Sequence, residues 1–136
     1  MKIDLTGKKA IVCGSTQGIG RASAVVLAEL GANITLIARN EVKLQKTAAA
    51  LPSKGQKHDY IVADFSQPED LRRKVDAYIS SNGPVHILVN NTGGPAGGPI
   101  VNAKSDEFLS AFTNHLLCNQ HLAQATFEGM KSAGYG

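Results

Sequence analysis

Short apolar runs rich in β-branched residues alternate along this chain with segments whose apolar residues recur at helical spacing. "KKAIVCG" reads as a first strand. From Gly18 to Leu30 the residues Ile19, Ala22, Val26, Leu27 and Leu30 mark the inner face of a helix, which Gly31 stops as a left-handed cap. "NITLIA" is a second strand, apolar nearly throughout, as suits a parallel strand covered on both faces. "NEVKLQKTAAAL" is a helix ended by Pro52, and "HDYIVADF" is a third strand. Ser66 and Glu69 are spaced as a capping box for the helix of "PEDLRRKVDAYISS". "VHILVNN" is a fourth strand. After the loop "TGGPAGGPIVNAK", one long helix is predicted from about Asp106 to about Ser132, with Ser105 as its N-cap. Strands return every 25–30 residues or so, the rhythm of right-handed βαβ units. The pattern predicts an α/β domain: a doubly wound parallel sheet of about four strands, with helices on both faces.

Composition narrows the function. Hydrophobic residues make up 43% of the 136-residue chain, which predicts a folded core rather than disorder. No apolar run approaches the roughly 18 residues of a membrane span. "MKIDLTGKKAIVCG" lacks the layout of a signal peptide, so a cytoplasmic location is expected. Cys13 and Cys118 lie far apart with no CxxC pair and read as two buried thiols, with no disulfide and no metal site. The net charge of +3 is mild, and its densest cluster, Arg72, Arg73 and Lys74, reads as a solvated helix face. Aromatic residues are only 5%, with no Trp, which argues against a base-stacking platform. Neither nucleic acid nor membrane is expected as a partner.

The stretch "CGSTQGIG" sits where strand one turns into helix one. Gly14, Gly18 and Gly20 let the backbone turn tightly, admit a ligand closely and bring the helix near the strand. The helix that starts there points free N–H groups and a positive dipole end at the turn, a site made for a pyrophosphate. The spacing is G-x-x-x-G-x-G rather than the G-x-G-x-x-G of the usual dinucleotide fingerprint.

That spacing resembles the TGxxxGIG motif of the short-chain dehydrogenase/reductase family, with Cys13 in the place of Thr. Asp64 in "ADF", after strand three, looks like the acidic residue that the family sets against the adenine ring. "NNTG", Asn90 to Gly93, is similar to its NNAG motif, with Thr92 in the place of Ala. The motifs come in order and the resemblance covers the whole chain, most like the branch containing 3-oxoacyl carrier-protein reductases. It implies a Rossmann-type fold and a nicotinamide dinucleotide held by Gly14, Ser15, Gln17, Gly18, Ile19, Gly20, Asp64, Phe65, Asn91, Thr92 and Gly93. The glycine-rich loop from Gly93 to Gly98 would lie near the nicotinamide.

Cofactor choice is read at the end of strand two. An NAD binder carries a carboxylate there for the ribose hydroxyls. Here Ala38 and Arg39 occupy the place, and Arg39 can grip a 2′-phosphate with a charge-assisted fork, helped by the Ser15 hydroxyl. NADP(H) is therefore expected over NAD(H). Arg39 read alone is also compatible with a solvated residue opening helix two. Glu41, the nearest acid, falls in that helix and points away. Arg21 either sits near the phosphates or faces solvent.

The family's chemistry implies a serine, a tyrosine with a lysine four residues on, and a helix asparagine. Tyr60 is followed at that spacing by Asp64 and Tyr78 by Asn82, and Tyr135 has only Gly136 after it. The family places the serine and tyrosine beyond a fifth strand. Residues 1–136 are thus expected to be the cofactor-binding part, truncated after about four strands and the long helix, and inactive alone. Asn114 is the candidate for the helix asparagine, although counting back from Gln124 lands on His115. Phe108, Phe112, Leu116, Leu122 and Phe127 are too many large apolar residues for one buried stripe. Together with strand four as a bare edge, they imply either that more chain belongs against these surfaces or that a partner covers them. The resemblance implies packing of the long helix against its counterpart in another subunit, so a homo-oligomer through it is expected.

Overall fold

The computed structural model describes residues 3–136. Four parallel strands, β1 (Lys9–Cys13), β2 (Asn33–Ala38), β3 (Asp59–Val62) and β4 (Ile87–Val89), form one sheet in the order β3-β2-β1-β4. The register sets Cys13 beside Ile37, Val12 beside Val89 and Ala38 beside Val62. The order reverses at β1, where the chain steps first to β2 and β3 and later returns to β4. A doubly wound sheet opens a crevice at such a switch point, beyond the carboxyl ends of its strands.

The strands alternate between two cores, as their period of two requires. Ala10 and Val12 of β1, with Ile34, Leu36 and Ala38 of β2, face α1 (Gly18–Glu29) and α2 (Glu41–Ala49). Ile11, Cys13 and Ile37 face α3 (Pro68–Asn82) and α5 (Cys118–Ala133). Ile11, Ile34, Leu36 and Ile37 are wholly buried, so each truncation to Ala removes about 2–5 kcal/mol.

Helix α1 turns inward a face shifted from the expected one: Leu27 and Leu30 do pack half-buried against the core, but they flank a narrower contact. Gly20, Ala24 and Ala28 are buried at four-residue spacing, whereas Ile19 and Val26 are 77% and 52% exposed. A helix that lies close on a sheet keeps its smallest side chains against the strands, and its larger ones flank the contact. Gly31 does carry the positive φ expected of a cap, at 102°. Helix α3 differs from expectation at its start. Gln67 is the N-cap and Pro68 the first helical residue, and no side chain caps the end. Ser66 instead donates its backbone N–H to Asp64 Oδ1 at 2.9 Å, which closes an Asx turn. The charged cluster on α3 is internally paired: Arg72 with Asp76 at 2.8 Å, Lys74 with Asp70 at 2.8 Å, and Arg73 with the same Asp70.

The long C-terminal helix is two α-helical pieces, α4 (Ser105–Phe112) and α5, joined without a break by a π-helical turn over Thr113–Leu117. Ser105 is the first helical residue rather than the cap. The Lys104 N–H is held by the Glu107 carboxylate at 2.7 Å. Phe108, Phe112, Leu116 and Phe127 are more than half exposed, whereas Leu122 is fully buried against α3.

Candidate functional site

A cleft of about 630 Å³ opens at the switch point. Its floor is the turn between β1 and α1. Gln17 is the N-cap of α1 in an extended conformation, and no side chain caps the helix, so its first N–H groups face the cleft. Gly14 and Gly20 stack against one another beneath them. A Cβ on Gly20 would stand 2.3 Å from the Gly14 carbonyl oxygen, and one on Gly14 would stand 2.5 Å from the Asn91 carbonyl oxygen. Gly18, by contrast, has nothing within 4 Å of such a Cβ, so its bare side faces open space.

The cleft has two unlike ends. On the β2 side Arg39 follows the buried Ala38, and Lys43 stands on the first turn of α2, whose N-cap Asn40 accepts the Lys43 N–H at 2.9 Å. Asp64 and Phe65 close this end from β3. The Asp64 carboxyl is held below the usual carboxylate range, chiefly by the Ser66 N–H, then by the Ser66 hydroxyl and the Arg39 charge. Glu41 is turned aside, where its carboxylate accepts from the Tyr60 hydroxyl at 3.3 Å. Arg21 is exposed and does not line the cleft.

On the β4 side Asn91, Thr92, Gly93 and Gly94 leave the strand and meet Asn114 on the π-helical turn. Asn114 Oδ1 is buried and has no hydrogen-bond partner among the described residues. A buried amide oxygen in that state is unusual and fits a cleft whose polar group is satisfied by what binds there.

Of the residues predicted from sequence, Gly14, Gln17, Gly18, Ile19, Arg39, Asp64, Phe65, Asn91, Thr92, Gly93 and Asn114 all line this cleft. Gly20 lies just beneath it. Ser15 is brought elsewhere: it is fully buried, and its hydroxyl donates to the Ile37 carbonyl at 3.4 Å, beneath the loop. Thr16 lines the cleft in its stead.

A second hollow of about 690 Å³ lies at the opposite end of the sheet, between Thr6, Glu29, Gly31, Asn33 and Lys54. It sits at the amino ends of the strands, where no helix N-terminus converges, so it lacks the features that gather an anionic cofactor. No group of three or more His, Cys, Asp or Glu among the described residues is placed to hold a metal ion. None of the helices described is long and apolar enough to cross a membrane.

The family model for short chain dehydrogenases matches residues 8–136. The chain belongs to the short-chain dehydrogenase/reductase family. Within that family it is 33% identical over 125 residues to carbonyl reductase family member 4 of Danio rerio, covering 92% of this chain and 52% of that protein. It is 31% identical over 134 residues to the 3-oxoacyl-[acyl-carrier-protein] reductase of Pseudomonas aeruginosa, covering 98% and 54%. The L-sorbose reductase of Gluconobacter frateurii, solved with NADPH and L-sorbose, superposes with a TM-score of 0.90 at 32% identity, over 98% of this chain and 51% of that one. The chain thus spans about half the length of the short-chain dehydrogenases it matches.

Sequence reasoning passed over Thr16, Asn40 and Lys43. Lys43 carried a signal, since it lies three residues after Asn40, which caps the helix opened by Glu41, and so on its first turn. Thr16 carried none, because a loop residue's direction depends on the turn that the glycines make.

Proposed function

We propose that residues 1–136 form the NADP(H)-binding part of an oxidoreductase that interconverts a carbonyl and a secondary alcohol. The observation that carries this reading is the β2 end of the cleft, where Arg39 stands in the place of a ribose-binding carboxylate and Lys43, on the first turn of α2, lines the same cleft. Two cations there fit a 2′-phosphate, which a carboxylate would repel. The N–H groups at the start of α1, from Gly18 and Ile19 onward, fit a pyrophosphate. Gly14, Gly18 and Gly20 leave the room it needs. Asp64 and Phe65 would border the adenine, and Thr92 and Gly93 the nicotinamide half.

The bound nicotinamide would supply or accept the hydride. This chain's residues orient it, and Asn114 offers its amide at the same end of the cleft. The likeness to the Pseudomonas reductase makes a 3-oxoacyl thioester one carbonyl compound to try, and that to the L-sorbose reductase makes a ketose the other. The exposed Phe108, Phe112, Leu116 and Phe127 favour a homo-oligomer through the long helix after Ser105. A cytoplasmic location belongs to the same reading.

The test is titration of the protein with NADPH and NADH, followed by cofactor fluorescence. NADPH is expected to bind at least about tenfold more tightly, and Arg39→Asp to remove that preference. Equal affinities in the parent protein, or a preference that survives the substitution, would overturn the choice of cofactor.

A second reading is a dinucleotide-binding module without turnover. It is favoured by one observation: neither Tyr60 nor Tyr78 is followed four residues later by lysine. Oxidation of NADPH by this chain in the presence of a 3-oxoacyl thioester would exclude it.

A further inference from the structure

On the β4 side of the cleft a single contact joins the strand's exit to the helix beyond it. Thr92 Oγ1 and His115 Nδ1 share a hydrogen bond across 23 residues of sequence. Alanine, found at this place in the family motif, has no hydroxyl with which to make it. Thr92 lines the cleft, whereas His115 lies behind it.

The backbone around His115 is itself held. The π-helical turn places Asn114 and His115 side by side. The Asn114 carbonyl accepts from the Cys118 thiol at 2.6 Å, and the His115 carbonyl accepts from Asn119 Nδ2 at 2.6 Å. π-helical turns of this kind, with one extra residue in a helix, gather at functional sites. Facing the turn, the loop from Thr92 to Gly98 has glycine at four of seven positions, and its glycines have nothing within 4 Å of an added Cβ. Such a segment has little packing of its own to fix it. Among the described residues, the His115 contact is the side-chain hydrogen bond that ties it down.

The order β3-β2-β1-β4 decides which part of a dinucleotide this loop meets. The adenosine end belongs at β2 and the pyrophosphate at the β1–α1 turn, so the other nucleoside lies toward β4. We propose that the Thr92–His115 hydrogen bond is a positioning contact that fixes the exit of β4 against the nicotinamide half of NADP(H). This rests on the cofactor reading given above. Thr92 meets the cofactor, and His115 acts only through Thr92.

The test compares two ligands on four proteins: the parent, Thr92→Val, His115→Leu and the double variant. NADPH spans both ends of the cleft, and adenosine 2′,5′-bisphosphate only the β2 side. His115→Leu is expected to raise the Kd of NADPH about threefold to tenfold, the worth of one hydrogen bond. In the Thr92→Val background the same change is expected to add nothing, because the contact is already gone. The Kd of adenosine 2′,5′-bisphosphate should stay within about twofold in all four, as a fold left intact requires. His115→Asn, which offers an amide close to the place of Nδ1, should recover most of the NADPH affinity. An unchanged NADPH Kd in His115→Leu overturns the proposal, and so does an equal loss in both backgrounds or for both ligands. A parent protein that binds the bisphosphate or NADPH not at all would instead overturn the cofactor reading beneath it.

Discussion

Asn91, at the exit of β4, reaches across the switch point to the end of β1. Its Nδ2 donates to the carbonyl oxygens of Cys13 and Gly14, each at 3.3 Å. Two strands 78 residues apart in sequence are thereby joined at the point where the cleft opens. Asn91→Leu keeps much of the volume and leaves both carbonyls without that partner. It should lower stability by about 1–3 kcal/mol in urea unfolding and weaken NADPH binding at the same time. Asn91→Leu with unchanged stability would show that the two long bonds carry no weight.

The glycines of the loop should not be equal. Gly20→Ala would drive a methyl to 2.3 Å from the Gly14 carbonyl and 2.8 Å from Asn91 Nδ2, both held by the strands beneath. The loop must shift, and the first N–H groups of α1 with it. Gly18→Ala meets nothing within 4 Å and bears only the cost of its φ of 54°, about 1–2 kcal/mol. The expected result is loss of NADPH binding in Gly20→Ala with a substantial fall in melting temperature. Gly18→Ala should give the smaller fall. The reverse order would mean that the loop is not packed as described.

The same packing explains which parts of the molecule were legible in sequence. Strand and helix periods follow from the chain's own geometry, so the alternation predicted a four-stranded, doubly wound sheet, and that is the fold. The glycines, Arg39, Asp64 and the NNTG turn lie at strand ends that this topology must bring together, so their convergence was legible too. The inner face of α1 was not, because a helix lying close on a sheet buries Gly20, Ala24 and Ala28 and turns Ile19 outward. The capping box at Ser66 lost to Pro68, which needs no capped N–H, and to the Asx turn at Asp64. The inward turn of Ser15 and the π-helical turn at Asn114 depend on contacts with distant elements, which local spacing does not encode.

Cys13 lies under the glycine loop and is fully buried. Burial pushes its thiol up to about 12, and the nearby Cys118 adds to the shift. Thiolate is the reactive form, so Cys13 should be inert in the native protein at pH 8. Reaction with a disulfide reagent is expected to follow unfolding of the β1 end and to match the rate of global opening. Rapid native labelling of Cys13, located by peptide mapping, would show that the loop opens far more readily than its packing implies.

His86 gives the fold a dependence on pH that can be separated from that of the carboxylates. Its Nδ1 accepts the Lys9 backbone N–H at 3.1 Å, just before β4 and at the first residue of β1. Partial burial lowers its pKa first, and the charges of Lys8 and Lys9 lower it further. The folded protein therefore binds this proton less readily than the unfolded chain. The stability it contributes is fully present above the unfolded value, about 6.5, and is lost as pH falls through the lower folded value. Asp64 and Asp70 are also lowered, but their contribution is present above the unfolded aspartate value, about 3.9, and is lost only in more acid solution. Between pH 8 and pH 5 the histidine step should thus stand apart. His86→Asn keeps an acceptor for the Lys9 N–H and removes the titrating ring. Urea unfolding of both proteins across this range should show a decline in the parent that is reduced in His86→Asn. Parallel profiles would mean that the proton binds elsewhere.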